Sequence, residues 1–201
     1  MKQEIEIKVP TNWAEVSLKR YQNYTKRVIG LENEDEIVLN TISALCDIPI
    51  NVVKKLKVHD IVELYKKLSN LISLPINKQV FDKVKIKGKE FGFHPNLDEM
   101  SLGEFVDLEE HCKNGSEELQ YILAILYRPI IENKNGKYDI EPYNENHIKN
   151  SPYFEELSID VVNGVMVFFY NLGTEFLMSS SHYLKMKAEK KLQEATMVGL
   201  V

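Results

Sequence analysis

Ile5, Ile7 and Val9 alternate with Glu4, Glu6 and Lys8, a period of two that predicts a half-buried strand stopped at Pro10. The period then becomes helical. Leu18, Tyr21, Tyr24 and Val28 recur three and four apart behind Ser17, with Gly30 beyond them, which predicts a helix with a serine cap and a glycine stop. A second helix runs from Asn33 through Ile37, Leu39, Ile42 and Leu45 to a stop at Pro49, with Glu34, Asp35 and Glu36 in its first turn, where the helix dipole favours anions. Residues 52–56 predict another turn or two. His59 and Asp60 then open a longer helix carrying Ile61, Leu64, Tyr65, Leu68, Leu71 and Ile72 on one side, ending at Pro75.

From Val80 to Phe93 the pattern predicts a hairpin, with Gly88 at the turn position that needs positive φ. Residues 101–111 read as helix, broken by Asn114 and Gly115, and residues 116–128 as another, ended by Pro129. Ile130 and Ile131, the turn Asn133-Lys134-Asn135-Gly136, and Tyr138-Asp139-Ile140 predict a second hairpin. Beyond Pro152, residues 158–194 hold no proline and only Gly164 and Gly173, so one helix of about 55 Å is predicted. Its first part is apolar on every side, but Asp160, Asn163, Asn171 and Glu175 interrupt it. That is too short a run for a membrane span of about 20 apolar residues, and a central core helix is the simpler reading. Further on, Tyr183, Leu184 and Met186 stand among lysines in an amphipathic pattern, and Met197, Val198, Gly199, Leu200 and Val201 form an apolar tail expected to dock on a neighbour.

The chain also resembles itself at an offset of 84 residues. Asn12-Trp13-Ala14-Glu15-Val16-Ser17-Leu18 matches Asn96-Leu97-Asp98-Glu99-Met100-Ser101-Leu102, with four of seven positions identical, and Tyr21 falls over Phe105. Each segment follows a predicted strand closely trailed by proline, Pro10 or Pro95. Each precedes two helices, the second ending before Pro49 or Pro129. Ser17 and Ser101 are the expected caps, and Trp13 and Leu97 can staple loop to helix by apolar contact. The expected fold class is therefore α+β, predominantly α-helical, with two strand-helix-helix pseudo-repeats, short β-hairpins and a long C-terminal helix. A single domain over 1–201 is expected, with repeat units at about 4–75 and 88–130, a hairpin at 130–142 and a C-terminal helical region at 145–195.

Composition narrows the class. With 201 residues, 44% of them hydrophobic, 7 Pro and 9 Gly, the chain can bury a real core and lacks a disordered or low-complexity character. Cys46 and Cys112 cannot build a disulfide framework, and the alternating start lacks the apolar run of a secretory signal. The expectation is an intracellular, mildly acidic globular protein. Its 25 Lys and Arg against 30 Asp and Glu give a net charge of -5, which divides into +2 over the first 100 residues (16 basic, 14 acidic) and -7 over the rest (9 basic, 16 acidic). A nucleic-acid grip is disfavoured, since neutralising phosphates needs a basic face. Lys185, Lys187, Lys190 and Lys191 suit a helix C-terminus instead.

The residues offer no obvious catalyst. His59, His94, His111, His147 and His182 fall on different elements, none at the i, i+4 spacing of a helical zinc pair. His111 and Cys112 are adjacent on a helix and point about 100° apart, so a buried structural cysteine beside a surface histidine is expected. Glu109-Glu110, Glu117-Glu118 and Glu155-Glu156 suit solvated faces. Ser179-Ser180-Ser181-His182 has no placed third member for a triad. No phosphate-binding loop, dinucleotide glycine pattern, nucleophile elbow or Cys-x-x-Cys occurs. No enzyme, metal or cofactor is expected. Aromatic residues around the second hairpin and the Pro142 and Pro152 turns, Tyr138, Tyr143, Tyr153 and Phe154, suit protein contacts or core filling equally. With Tyr183, Leu184, Met197, Val198, Leu200 and Val201 they are the partner-contact candidates.

The stretch Ile7-Lys8-Val9-Pro10-Thr11-Asn12-Trp13-Ala14-Glu15-Val16-Ser17-Leu18-Lys19-Arg20-Tyr21 and the acidic helix at 34–45, with segments 100–105, 123–129 and 168–173, resemble a known group. These are the small proteins that tailed phages of gut bacteroidetes, including crAss-like phages, encode among their virion and tail-assembly genes. The resemblance implies a non-enzymatic role, either as a virion component at the portal, neck or tail or as a tail-assembly chaperone not retained in the particle. It also implies multiple copies, partners among portal, tail or capsid proteins, and a location in the virion or in host cytoplasm during assembly. Residue chemistry without the resemblance suits a host-type intracellular helical adaptor.

Overall fold

Short polar side chains set where the helices begin. Asn12 accepts a hydrogen bond from the Ala14 N–H at 3.0 Å and opens a 3-10 turn, Trp13–Glu15. Ser17 accepts from Arg20 N–H to start α1 (Leu18–Val28), and Asn33 accepts from Glu36 N–H to start α2 (Glu34–Leu45). Trp13 packs edge-on against Tyr21 with ring centroids 5.8 Å apart, the staple expected of it. Two further helices, α3 (Ile50–Val53) and α4 (Val58–Ile72), follow the Asp47 turn, and α2 packs on both α1 and α4.

This computed structural model describes residues 6–134, 137–144 and 146–168, and its fold is α+β and predominantly helical with a small antiparallel sheet. Strands β1 (Lys83–Ile86) and β2 (Lys89–Phe93) join through Lys87 and Gly88 at φ 49° and 82°. Positive φ at both positions is the geometry of a two-residue hairpin whose twist matches its strands. A second 3-10 turn, Leu97–Glu99, leads into α5 (Leu102–Lys113), capped by Ser101 and ended at Asn114 before Gly115. Helix α6 (Leu119–Leu126) is followed directly by β3 (Tyr127–Lys134) and β4 (Lys137–Ile140).

Three expectations need correcting. The helix expected up to Arg128 ends at Leu126, and Pro129 lies inside β3 rather than stopping a helix. The two hairpins are consequently one sheet in the order β1-β2-β3-β4, with Phe91 opposite Pro129, Gly92 opposite Arg128 and Phe93 opposite Tyr127. Proline is tolerated in this central strand because the Pro129 carbonyl accepts from Glu141 N–H at 2.9 Å. A strand residue's nitrogen and oxygen face the same side, so the missing donor points past the end of β4 and not at β2. Finally, residues 6–10 make no ladder; Ile7 and Val9 instead lie half-buried against the core. The four strands pair with one another, so the alternation there reports one buried face and not sheet membership.

Beyond the short α7 (Ser151–Phe154), the chain returns to α1. Ser158 bridges Ser17 antiparallel, Leu157 C=O accepts from Leu18 N–H at 2.8 Å, and Ile159 N–H donates to Val16 C=O at 2.9 Å. Residues 159–168 then form α8, with Ile159, Val162 and Val165 buried. The helix presses so closely on the connection between α4 and β1 that a Cβ on Gly164 would meet the Gln79 carbonyl oxygen at 1.9 Å. This is the central core helix expected; its predicted continuation to 194 lies outside the described residues. One apolar core gathers Leu18 from α1, Ile42 and Leu45 from α2, Phe91 from β2, Leu123 from α6 and Val165 from α8. Among the described residues no helix is long and apolar enough to cross a membrane.

Candidate functional site

Helix α5 buries a carboxylate beside Leu108 and leaves other apolar residues in solvent. Its start is orthodox: Ser101 Oγ accepts from Glu104 N–H at 3.3 Å, and Glu104 Oε2 accepts from Ser101 N–H at 2.6 Å, a reciprocal capping box. That box turns the Glu104 carboxylate inward, where the residue is 3% exposed, while Leu102 is 79% exposed and Phe105 and Val106 are each 48% exposed. Positions 102, 105 and 106 are one helix face. An apolar strip therefore faces solvent above an underside that buries Glu104 and, one turn on, Leu108, with Glu99, Glu109 and Glu110 exposed on the same helix and the turn before it.

The underside is a network drawn from four distant parts of the chain. Arg128 on β3 reaches Glu104 Oε1 with Nη1 at 2.8 Å, and His94 Nε2 stands 3.6 Å from the same oxygen. His94 sits where it does because its backbone N–H donates to the Leu126 carbonyl at 2.8 Å, extending the β2–β3 contact by one residue. Next to this pair, the buried His147 stacks on Tyr143 with ring centroids 5.2 Å apart, and the Tyr143 hydroxyl donates to Asp107 on α5. His111, also on α5, meets Glu118 at 2.7 Å and stacks on Tyr121 at 5.1 Å.

Burial dominates the electrostatics. It pushes the His94 pKa below its ordinary 6.5, helped by the Arg128 charge and opposed by Glu104, and it lowers His147 in the same direction. For Glu104, burial raises the pKa, but the two Ser101 bonds and Arg128 outweigh it, so the carboxyl lies below its ordinary 4.5 and stays ionised. Burial lowers Arg128 against the opposing pull of Glu104. The result is a paired carboxylate and guanidinium with two neutral imidazoles beside them.

That arrangement suits fastening α5 to the sheet better than reaction chemistry. His94 borders an open cleft of ≈ 730 Å³ with Asp82, Asn96, Lys137 and Asp139 among its lining residues. Its Nε2, however, is turned inward toward Glu104, and Nδ1 is buried too, so neither nitrogen is presented to a molecule in the cleft, as a general base must be. Among the described residues, no group of three or more His, Cys, Asp or Glu is placed to hold a metal ion.

The sequence-based candidates divide three ways. Tyr143 flanks the strip, with its ring 3.4 Å from the position a Cβ would take on Gly103. Tyr138 and Tyr153 are half-buried in structural roles: the Tyr138 hydroxyl donates to Phe93 C=O at 2.8 Å, and Tyr153 packs against Phe91 at 5.5 Å. Phe154 is a correction, because it is fully buried against Phe91 and Tyr127 and serves the core alone. Tyr183, Leu184, Met197, Val198, Leu200 and Val201 lie outside the described residues. The cysteine expectation is also reversed: Cys112 is exposed, and His111 beside it is partly covered by Glu118 and Tyr121. The buried cysteine is Cys46, whose thiol burial pushes up to about 11.

Leu102, Phe105 and Val106 were not candidates on sequence grounds. Three apolar residues on one helix face normally mark the buried side, and only Glu104 at the third helical position, where a capping box recruits a glutamate, hints otherwise. No family model matches the chain, and no curated protein and no solved structure matches it.

Proposed function

We propose that the protein is a non-enzymatic phage structural or assembly protein, a virion component at the portal, neck or tail, that works through protein contacts made by the outer face of α5. The exposed strip of Leu102, Phe105 and Val106 carries this reading. Leaving a leucine in water forgoes about 1.5–3 kcal/mol of burial, and here three neighbouring apolar residues are left out while a carboxylate is taken in. Exposed apolar residues that cluster and carry a polar rim mark interaction sites, and this cluster lies beside Glu99, Glu109 and Glu110. The resemblance to phage virion and tail-assembly proteins supplies the setting and the class of partner.

Mass spectrometry of purified particles tests it. A virion component appears at a fixed copy number, and the double substitution Leu102→Asp with Val106→Asp, in a chain that still folds, lowers its incorporation at least tenfold. Absence from particles with association to a tail protein in infected-cell lysate would replace the virion reading by a tail-assembly chaperone. Unchanged incorporation of the double variant would reject α5 as the contact.

A further inference from the structure

We propose that the open edge of β1 takes up an extended segment of a partner protein in which acidic and apolar residues alternate, adding a strand to the sheet. Among the described residues β1 ends the order β1-β2-β3-β4, with only β2 beside it. The tight turn at Lys87 and Gly88 fixes which backbone groups face outward. It makes Ile86 and Lys89 a hydrogen-bonded pair, and such pairs alternate along an antiparallel ladder, so Val84 and Phe91 form the next. The Asp82 carbonyl accepts from Phe93 N–H at 2.8 Å and continues the series. Residues 82, 84 and 86 therefore turn their backbone groups toward β2, and Lys83 and Lys85 turn theirs toward the open edge. The side chains alternate as well: Val84 and Ile86 are buried, and Lys83 and Lys85 are exposed.

Register and charge select the occupant. The edge opens on a groove of ≈ 490 Å³, lined by Val84, Lys85 and Ile86 on one side and by Glu156, Leu157 and Val161 on the other. Lys87 meets Glu156 at 3.5 Å across it. A strand laid on β1 places every second side chain on the face of Val84 and Ile86, where apolar residues suit the groove. The intervening ones fall on the face of Lys83 and Lys85, where an opposite charge stabilises a cross-strand pair and a like charge opposes it. Lys83 already rests over the Tyr138 ring at 4.9 Å, which makes Lys85 the principal charge to test. Residues 78–89 hold five lysines and one acid in a chain whose net charge is -5, so the edge is basic in an acidic protein. Lysines on an edge strand deter uncharged and basic strands, but they attract an acidic one, so the feature that guards the edge also chooses its partner. In such strand addition the main-chain bonds supply affinity and the alternate side chains specificity.

This edge lies on a different element from α5, and its partner is independent of the phage setting. Fluorescence anisotropy with the full-length chain tests it, using a labelled, end-capped peptide of alternating glutamate and valine and a second peptide of the same composition with the valines in one block. Lys85→Pro removes an N–H that faces the edge and spares the ladder to β2, a position where strands tolerate proline. Lys85→Glu reverses the charge and serves if the proline variant does not fold. The expected result is saturable binding of the alternating peptide, at least tenfold tighter than the block peptide and weakened at least tenfold by either substitution in variants that keep the folded circular dichroism spectrum. The Lys83 and Lys85 amides should gain protection from exchange on binding. Equal binding of the two peptides would reduce the edge to a charge effect. Tighter binding of a single-stranded oligonucleotide would assign the lysines to phosphates. No peptide binding would leave the lysines as guards of the edge or, where Lys85→Glu abolishes self-association, give the edge to a second copy. Each of these results overturns the proposal.

Discussion

Helices α1 and α5 begin alike and end up opposite. Each follows a 3-10 turn, Trp13–Glu15 or Leu97–Glu99, and each is capped by a serine that accepts the N–H three residues on. Yet Leu18 is sealed in the core, while the matched Leu102 stands in solvent. The residues at the third helical position separate them. In α1 that residue is Arg20, whose guanidinium reaches out toward the Leu45 carbonyl and Asp47. In α5 it is Glu104, which closes the capping box and meets a buried arginine, so the helix docks with a carboxylate one turn ahead of its core residue Leu108. Local capping thus determines where a helix starts, and the charge partner beneath it determines which face it buries. Helix α1 seals Leu18 in the chain's own core, and α5 leaves Leu102, Phe105 and Val106 exposed.

The largest expected effect comes from breaking the charge partnership. Arg128→Ala leaves Glu104 ionised and uncompensated in the interior, so it should cost about 3–5 kcal/mol by urea unfolding, and adding Glu104→Gln should recover part of that. If Arg128→Ala costs under about 1 kcal/mol, the pair is not what orients α5.

Acid should act more gently and in a defined direction. His94 and His147 have folded pKa values lowered from 6.5, so below pH 6.5 the unfolded chain takes up protons that the folded chain resists. Their contribution is complete above that pH and is lost as the pH falls; Glu104, lowered from 4.5, adds a further loss below pH 4.5. The urea midpoint should therefore be lower at pH 5.5 than at pH 7.5, and His94→Gln with His147→Gln should flatten the difference. A midpoint that rises on acidification would contradict the burial of neutral imidazoles.

Much of the local structure was legible because its causes are local. Ser17 and Ser101 as caps, Gly88 in the hairpin turn, Gly115 past the end of α5 and the Trp13 staple all follow from short-range geometry. What could not be read depends on distant pairing. The union of the two hairpins rests on Phe91 to Phe93 meeting Tyr127 to Pro129, and no periodicity in either segment encodes its partner. The polar cluster draws on His94, Glu104, Arg128 and His147, far apart in sequence, so none announced the others. Phe154 suited contact and core filling equally on sequence grounds because the turn residues around it are polar, and its side chain in fact fills the space beside Phe91.

The outward face of α5 is the central claim, and the matched pair Leu18→Ala and Leu102→Ala in the full-length chain tests it most directly by equilibrium urea unfolding. Leu18→Ala is expected to cost about 2–5 kcal/mol as a core cavity, and Leu102→Ala about 0.5 kcal/mol or less as a surface change. Equal losses at the two positions would mean that Leu102 belongs to the protein's own core and would contradict the account.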